Sequence, residues 1–267
     1  MSDLVHLTPL DVLIAAGLLI VPAVISLVFE LGLSKKLGWA SVRTIVQLAA
    51  VGYLIEIIFD LGRLIFVVGI LVVMLAIAAW TAVGQASRSF PGARLHSTGA
   101  LAMASTATVF VAVEYVIGVE PWWRPQYLIP LVGMMLGNGL TAVTLGLDGL
   151  MEHLVARRQS IEARLALGAS SWEAILPWMR DAIRQSMIPI INTMLIVGIV
   201  KLPGMMTGQI LSGVSPMQAA GYQILVMFMI AACTALSAIV MCLLAFWQLA
   251  DEEHRIRWEE IRVHTEN

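Results

Sequence analysis

The sequence predicts an all-helical integral membrane domain, and three observations carry that prediction. Of its 267 residues, 59% are hydrophobic and only 13% charged, with a mean hydropathy of +0.87, more apolar surface than one soluble core can hide. Several runs approach the roughly 20 apolar residues that a helix needs to cross a bilayer, so the chain has room for about seven spans and no separate soluble domain. The basic residues are distributed asymmetrically. With seven spans and the N-terminus outside, 13 of the 16 Lys and Arg fall in the cytoplasm, Arg63 and Arg124 fall outside, and Lys201 lies at the membrane edge, the bias that sets membrane orientation. Residues 1–267 are thus expected to form one transmembrane domain with a cytoplasmic C-terminus.

The first span opens at Thr8, Pro9 and Asp11, read as N-cap, proline at the first helical position and a capping carboxylate, and runs to about Phe29. No basic residue precedes it, unlike the start of a secretory signal peptide. Lys35 and Lys36 mark the first cytoplasmic loop. Span two, about Val42 to Phe59, carries Gln47, Tyr53 and Glu56; a tight turn over Asp60 to Arg63 returns the chain into span three, about Leu64 to Val83. The loop from Gly84 to Ser97 is basic and cytoplasmic. Span four, about Thr98 to Gly118, holds Glu114 near its outer end. Trp122 and Trp123 between Pro121 and Pro125 have the composition of an outer membrane interface.

Span five, Gln126 to about Leu147, contains Gly133 and Gly137 at a spacing that lets another helix approach closely, with Met134 and Asn138 beside them. Residues 148–187 follow as the one long charged stretch between apolar segments, with ten charged side chains. Within it, helix-forming residues run up to Gly168, and a new helix starts at a Ser170-x-x-Glu173 capping box. Helix, sharp turn, helix is the expected cytoplasmic conformation. Span six, about Ile188 to Leu202, includes Lys201 and is broken by Pro203 and Gly204. Gly204 and Gly208 repeat the small-residue spacing and are expected to close against Gly133 and Gly137. Ser215, Pro216 and Gln218 cap span seven, which runs to about Leu249, and residues 250–267 form a polar cytoplasmic tail.

Motifs exclude several chemistries. The chain contains no Gly-x-x-x-x-Gly-Lys-Ser/Thr phosphate loop, no His-Glu-x-x-His and no Gly-x-Ser-x-Gly, so ATP hydrolysis by a phosphate loop, zinc peptidase and serine hydrolase activity have no support. Cys233 and Cys242, nine residues apart, are separated by about 13 Å along a helix and cannot pair with each other. Nothing points to a nucleic-acid partner. The polar residues placed in the membrane, Glu56, Glu114 and Lys201, are costly there unless they face a cavity, a partner or the interface. They leave open a proton-coupled secondary carrier. Met134, Met135, Met205 and Met206 offer thioethers, which fill gaps in packing and, as ligands, favour Cu(I) over iron.

Two resemblances sharpen the functional expectation. Glu162-Ala163 followed by Gly168, in a cytoplasmic loop before the penultimate span, resembles the coupling loop of ABC-transporter permeases, which docks into a cleft on a partner ATPase. Arg164 departs from that family's third alanine, and its downstream Ile-x-Leu-Pro is matched loosely by Leu176-Pro177. Over most of the chain, Arg43 with Gln47-Leu48, Gly52-Tyr53, Ile129-Pro130 with Gly133-Met134, Gly137-Asn138, the run Leu202 to Gly208, and Tyr222-Gln223 resemble the permease family typified by the bacterial iron-export permease FetB. That likeness implies a homodimeric permease in a bacterial inner membrane, working with a separately encoded ATPase that holds ATP and Mg, and exporting a metal ion, iron by resemblance, or another small solute. This chain would need no cofactor of its own. ATPase coupling falls to Glu162, Ala163, Gly168, Ala169 and Glu173. The substrate path or gate falls to Gln47, Glu56, Glu114, Met134, Asn138, Lys201, Pro203, Gly204, Met205, Met206, Gly208 and Gln209, with any metal ligands unspecified. A subunit that transmits force without moving solute is a further alternative.

The topology is testable by thiol labelling. In a variant lacking Cys233 and Cys242, Ser215→Cys is expected to react with an impermeant thiol reagent applied outside and Ser170→Cys to remain unlabelled; the reverse pattern overturns the orientation.

Overall fold

A computed structural model describes residues 8–251 and 253–263. The chain is built from ten α-helices in those residues: α1 (Pro9–Gly17), α2 (Ile20–Val28), α3 (Leu33–Leu61), α4 (Leu64–Gln85), α5 (Ala93–Val111), α6 (Pro125–Ala156), α7 (Arg158–Ala166), α8 (Ser171–Ile196), α9 (Gly204–Leu211) and α10 (Pro216–Leu249). A π-helical turn, Ala112–Ile117, extends α5. The only sheet among these residues pairs β1 (Arg88–Ser89) antiparallel with β2 (Arg262–Val263). Six helical segments are long and apolar enough to cross a membrane: Leu10–Val28, Leu33–Leu61, Leu64–Gln85, Ala93–Ile117, Pro125–Ala156 and Pro216–Leu249. The protein is an all-α multi-pass membrane protein. The expected span that is not among these six is span six, about Ile188 to Leu202, which falls on the end of α8 and the turn after it and is shorter than the roughly 20 residues of a full span.

Two compact units divide the chain. One holds α1 to α3, through Arg63, together with Leu211–Gly213. Thr8 caps α1 as the sequence predicts: Asp11 N–H donates to the Thr8 hydroxyl, and the Thr8 backbone N–H donates back to the Asp11 carboxylate at 2.7 Å. α2 packs against α3, and buried Ser26 accepts from the Leu33 N–H at 2.9 Å, fixing the start of α3. That helix begins nine residues before the expected Val42 and takes in Lys35, Lys36 and Arg43. Hydropathy marks the thickness of the bilayer rather than the length of the helix, and Lys, Ser and Trp do not stop a helix. Gly62, at φ +53°, closes α3 as the expected tight turn.

The other unit, Leu64–Ile210 with the chain from Val214 onward, is organised on α6. α6 touches α4, α5, α8 and α10. Leu147, Leu150, Met151 and Leu154 on α6, Leu101 on α5, Ile175 and Met179 on α8, and Met241 and Leu249 on α10 form one buried core. Close approach uses small residues, but other ones than the sequence suggests. A Cβ added at Gly139 would lie 2.9 Å from Leu101 and 3.0 Å from the Ser237 hydroxyl; one at Gly146 would meet Cys242 and Ala238; one at Gly149 would meet Ala182 and Gln185. The expected contact of Gly204 and Gly208 with Gly133 and Gly137 is absent, since a Cβ at Gly137, Gly204 or Gly208 meets nothing within 4 Å and one at Gly133 meets Met74. Gly133 with Gly137 and Gly204 with Gly208 have the i, i+4 spacing, but spacing alone does not say which face of a helix carries the contact.

At the far end of α8 the helix stops at Ile196, six residues before Leu202. The N–H groups of Ile199, Val200 and Lys201 converge on the Ile196 carbonyl, and Gly198 takes φ +86°. Pro203 therefore does not break a span; it opens α9, where its carbonyl accepts from the Thr207 N–H and hydroxyl. Ser215 caps α10 by accepting from the Gln218 N–H.

Packing at Gly139 gives a direct test. Gly139→Leu is expected to destabilise the bundle by about 1–3 kcal/mol through overpacking, lowering the thermal unfolding midpoint in mild detergent, while Gly137→Leu leaves that midpoint unchanged.

Candidate functional site

The charged stretch folds into a helical hairpin whose turn is specified residue by residue. Leu167 ends α7, and Gly168 follows at φ +93°. The Gly168 N–H donates to Leu165 O at 3.0 Å and the Ala169 N–H to Arg164 O at 3.1 Å, the paired bonds of a Schellman turn. A side chain at Gly168 would be strained by this conformation even though the space around it is open. One residue later α8 begins under a reciprocal cap. Glu173 N–H donates to the Ser170 hydroxyl, while Ser170 N–H and hydroxyl donate to Glu173 Oε2 at 2.9 and 2.8 Å. These bonds, the backbone one foremost, hold the Glu173 carboxyl below its ordinary value near 4.5, and the nearby His254 adds to the effect.

The hairpin is anchored on one side and bare on the other. Ile161 is fully buried and Leu165 packs on the core, whereas Glu162, Ala163 and Gly168 are exposed. Glu162 accepts from Arg158 Nε at 2.8 Å across one helical turn. Ala169 is half-buried. The tip is Leu167, 89% exposed. Its apolar side chain was the signal available in the sequence, standing at a turn inside a charged segment.

Behind the hairpin lies a layer that the sequence did not announce. The tail expected to be merely polar folds back after α10: Arg257 N–H donates to Leu249 O, Ala250 bridges to Ile256, and β2 pairs with β1. Ile256 is buried in the core. The Ser171 hydroxyl lies 3.3 Å from His254 Nδ1, Arg158 stacks 5.1 Å above the Trp258 ring, and Trp172 meets Phe246 edge-on at 5.2 Å. From the other side, Asp148 on α6 accepts from the Ser87 N–H at 3.0 Å, holding the loop before β1. Arg157 sits 5.4 Å over Trp178, whose indole N–H is buried without a hydrogen-bond partner.

The residues assigned to a path or gate lie on α3, the π-helical turn, α6, the turn after α8 and α9. On α3, Gln47 and Glu56 are exposed; nine residues apart, they point about half a turn away from each other. On α6, Met134 and Asn138 are half-buried, and Asn138 Nδ2 donates to Met134 O at 2.9 Å, so the amide is turned on its own helix. Met135 is fully buried, which makes it a core residue. Lys201 is exposed in the turn after α8, outside any helix, and among the described residues no ion pair joins it to Glu114. Pro203, Met205, Met206 and Gln209 are half-buried, and Gly204 and Gly208 exposed, on or beside α9. Gln209 Oε1 and, on α10, Gln223 Oε1 are buried with no hydrogen-bond partner. Glu114 is exposed in the π-helical turn. Among the described residues no group of three or more His, Cys, Asp and Glu side chains is placed to hold a metal ion.

The fold is that of an all-α, multi-pass membrane protein with a polar hairpin at one end of its bundle. The chain belongs to the Uncharacterised protein family (UPF0014), whose model matches residues 9–249. It is 39% identical over 231 residues to a UPF0014 membrane protein of Synechocystis sp., covering 85% of this chain and 87% of that one. It is 32% identical over 252 residues to the "Probable iron export permease protein FetB" of Escherichia coli, covering 94% and 95%. It is 30% identical over 227 residues to the protein ALUMINUM SENSITIVE 3 of Arabidopsis thaliana, covering 84% and 82%. No solved structure matches the chain.

The capping box predicts a pH dependence with a defined sign. A carboxyl whose folded pKa is depressed contributes its full stability above the unfolded value and loses it as pH falls toward the folded value. The difference in melting midpoint between the wild type and Glu173→Ala is therefore expected to be constant above about pH 5 and to close as pH falls through and below the ordinary value of 4.5.

Proposed function

We propose that this protein is the membrane subunit of an ATP-driven exporter, working as a homodimer with a separate cytoplasmic ATPase. The observation that carries the proposal is the hairpin: a Schellman turn and a capping box fix its shape, its tip presents bare Leu167 beside Glu162 and Ala163, and its inner side is bonded to the tail and to the ends of α6 and α10. A rigid knob on a firm footing can receive a push from a partner and pass it along α8. The chain lacks a phosphate loop of its own, so ATP and Mg would be held by that partner. Placing the hairpin end in the cytoplasm agrees with the basic-residue bias, and a bacterial inner membrane is the corresponding location.

For the solute, the name of the Escherichia coli relative supports iron export, and we extend that to this chain as a metal ion. Met134 on α6 and Met205 and Met206 on α9 belong to different helices, and we read them as points along a path rather than as one preformed cage, because a cage needs several ligands around one point.

Affinity purification from native membranes in mild detergent is expected to recover an ATPase subunit with the wild type. Gly168→Val, strained by roughly 1–2 kcal/mol or more at a left-handed position, and Glu162→Lys, reversed in charge at the exposed face, are expected to remain inserted and folded while ATP-driven transport in proteoliposomes falls at least tenfold. Normal transport by both variants with the ATPase bound would overturn the coupling assignment.

A further inference from the structure

At the end of the bundle opposite the hairpin, α4, α5 with its π-helical turn, and α6 enclose a groove of about 760 Å³. Position follows from chain direction: α5 leaves the hairpin end beside β1 and reaches Glu114 near its far terminus, where α6 begins at Pro125. That volume lies within the roughly 300–1,000 Å³ of small-molecule sites. Val72, Ala102 and Leu136 stand for walls that are predominantly hydrocarbon, and Glu114, Tyr115 and Trp122 also line the groove. The Ser105 hydroxyl on the wall donates to Leu101 O at 2.6 Å, which leaves it little to offer a ligand. No Lys or Arg lines the groove, and among the described residues no ion pair engages Glu114.

The π-helical turn supplies a second, independent observation. Gly118 N–H donates to Val113 O at 3.0 Å, an i to i+5 bond, and such widened turns shift the side chains that follow out of α-helical register and recur at functional sites. Here it falls on Glu114 and Tyr115 themselves.

A carboxylate that shares a groove with a phenol and an indole suits a cation, since the charge attracts it and aromatic faces stabilise it further. The hydrocarbon walls exclude a bare ion or a sugar, which would lose its hydration without replacement. We propose that this groove binds an amphiphilic cation: one hydrocarbon chain lying between α4 and α6, ended by an amine or quaternary ammonium seated at Glu114, Tyr115 and Trp122. Ala102 to Glu114 measures about 18 Å along α5, enough for a medium-length chain. The site requires neither ATP nor a partner subunit, so its test is separate from that of the coupling hairpin.

The test is equilibrium binding of radiolabelled dodecyltrimethylammonium to the purified full chain in phosphatidylcholine nanodiscs, corrected with empty nanodiscs. Dodecyl sulfate and dodecanol serve as probes of the same chain length. Saturable binding at one site per chain is expected for the cation, at least tenfold tighter than for either comparison probe. Glu114→Gln is expected to remove that preference, and Glu114→Asp to restore part of it. Val72→Trp, filling the groove from α4, is expected to weaken all three probes, with the melting midpoint of each variant within a few degrees of wild type confirming the fold. Equal binding of cation, anion and alcohol by the wild type overturns the proposal, as does cation binding that survives both Glu114→Gln and Val72→Trp. If Glu114→Gln fails to fold, the wild-type preference and Val72→Trp decide the matter alone.

Discussion

The larger unit depends on how closely α6 can be approached. In a hydrocarbon medium helices gain nothing from hiding apolar surface from each other, so association rests on contact area and on the few hydrogen bonds between them. Gly139, Gly146 and Gly149 remove side chains where α5, α8 and α10 come nearest to α6, and the space is filled by Leu101, Ser237, Ala238, Cys242 and Ala182. Even the two cysteines serve this contact: Cys233 and Cys242 lie against the Met135 and Gly146 carbonyls of α6 at 3.7 Å each. Everything at the hairpin end stands on this contact, because Asp148 and Met151 lie on the same helix, on either side of Gly149.

Legibility in the sequence followed the range of the interaction. Short-range chemistry was readable: Thr8 with Asp11, Ser170 with Glu173, Gly62 and Gly168 at left-handed positions all appear where local pattern puts them. Span cores were readable because hydrocarbon thickness imposes a length. Helix ends beyond the bilayer were not, since polar helix formers such as Lys35 or Glu152 carry no stop signal. Rotation about the helix axis was also hidden, so the i, i+4 spacing of Gly133 and Gly137 drew the expectation of a close contact that Gly139 and Gly146 make instead. The end of α8 was misplaced for another reason. Proline at 203 is the loudest breaker in the segment, yet the helix stops at Ile196, before Gly198, with the following N–H groups gathered on one carbonyl. As for the tail, its contacts join residues far apart in the chain, His254 with Ser171 and Arg262 with Ser89, and no local pattern encodes such a pairing.

The hairpin and the groove are therefore different in kind. One is specified by backbone hydrogen bonds that leave little freedom, with its charged side chains on the surface. The other is a space between helices, where a single carboxylate interrupts hydrocarbon. Separation of the two to opposite ends of α5 and α6 means that neither can influence the other by direct contact; any communication has to pass through the shared helices.

α8 gives that communication a mechanical character. It is one helix from the capped Ser171 to Ile196, 26 residues and thus about 39 Å long, and it carries Pro177 and Pro189 inside it. Each proline removes a rung of the hydrogen-bond ladder, so the rod has two compliant joints between stiff segments. A swing of about 10° at the hairpin would carry the far end of a stiff rod of this length about 7 Å, whereas a jointed one absorbs part of that swing as bending. The ratio of stiffness at the joints to stiffness of the segments between them would then set the mechanical gain of the device.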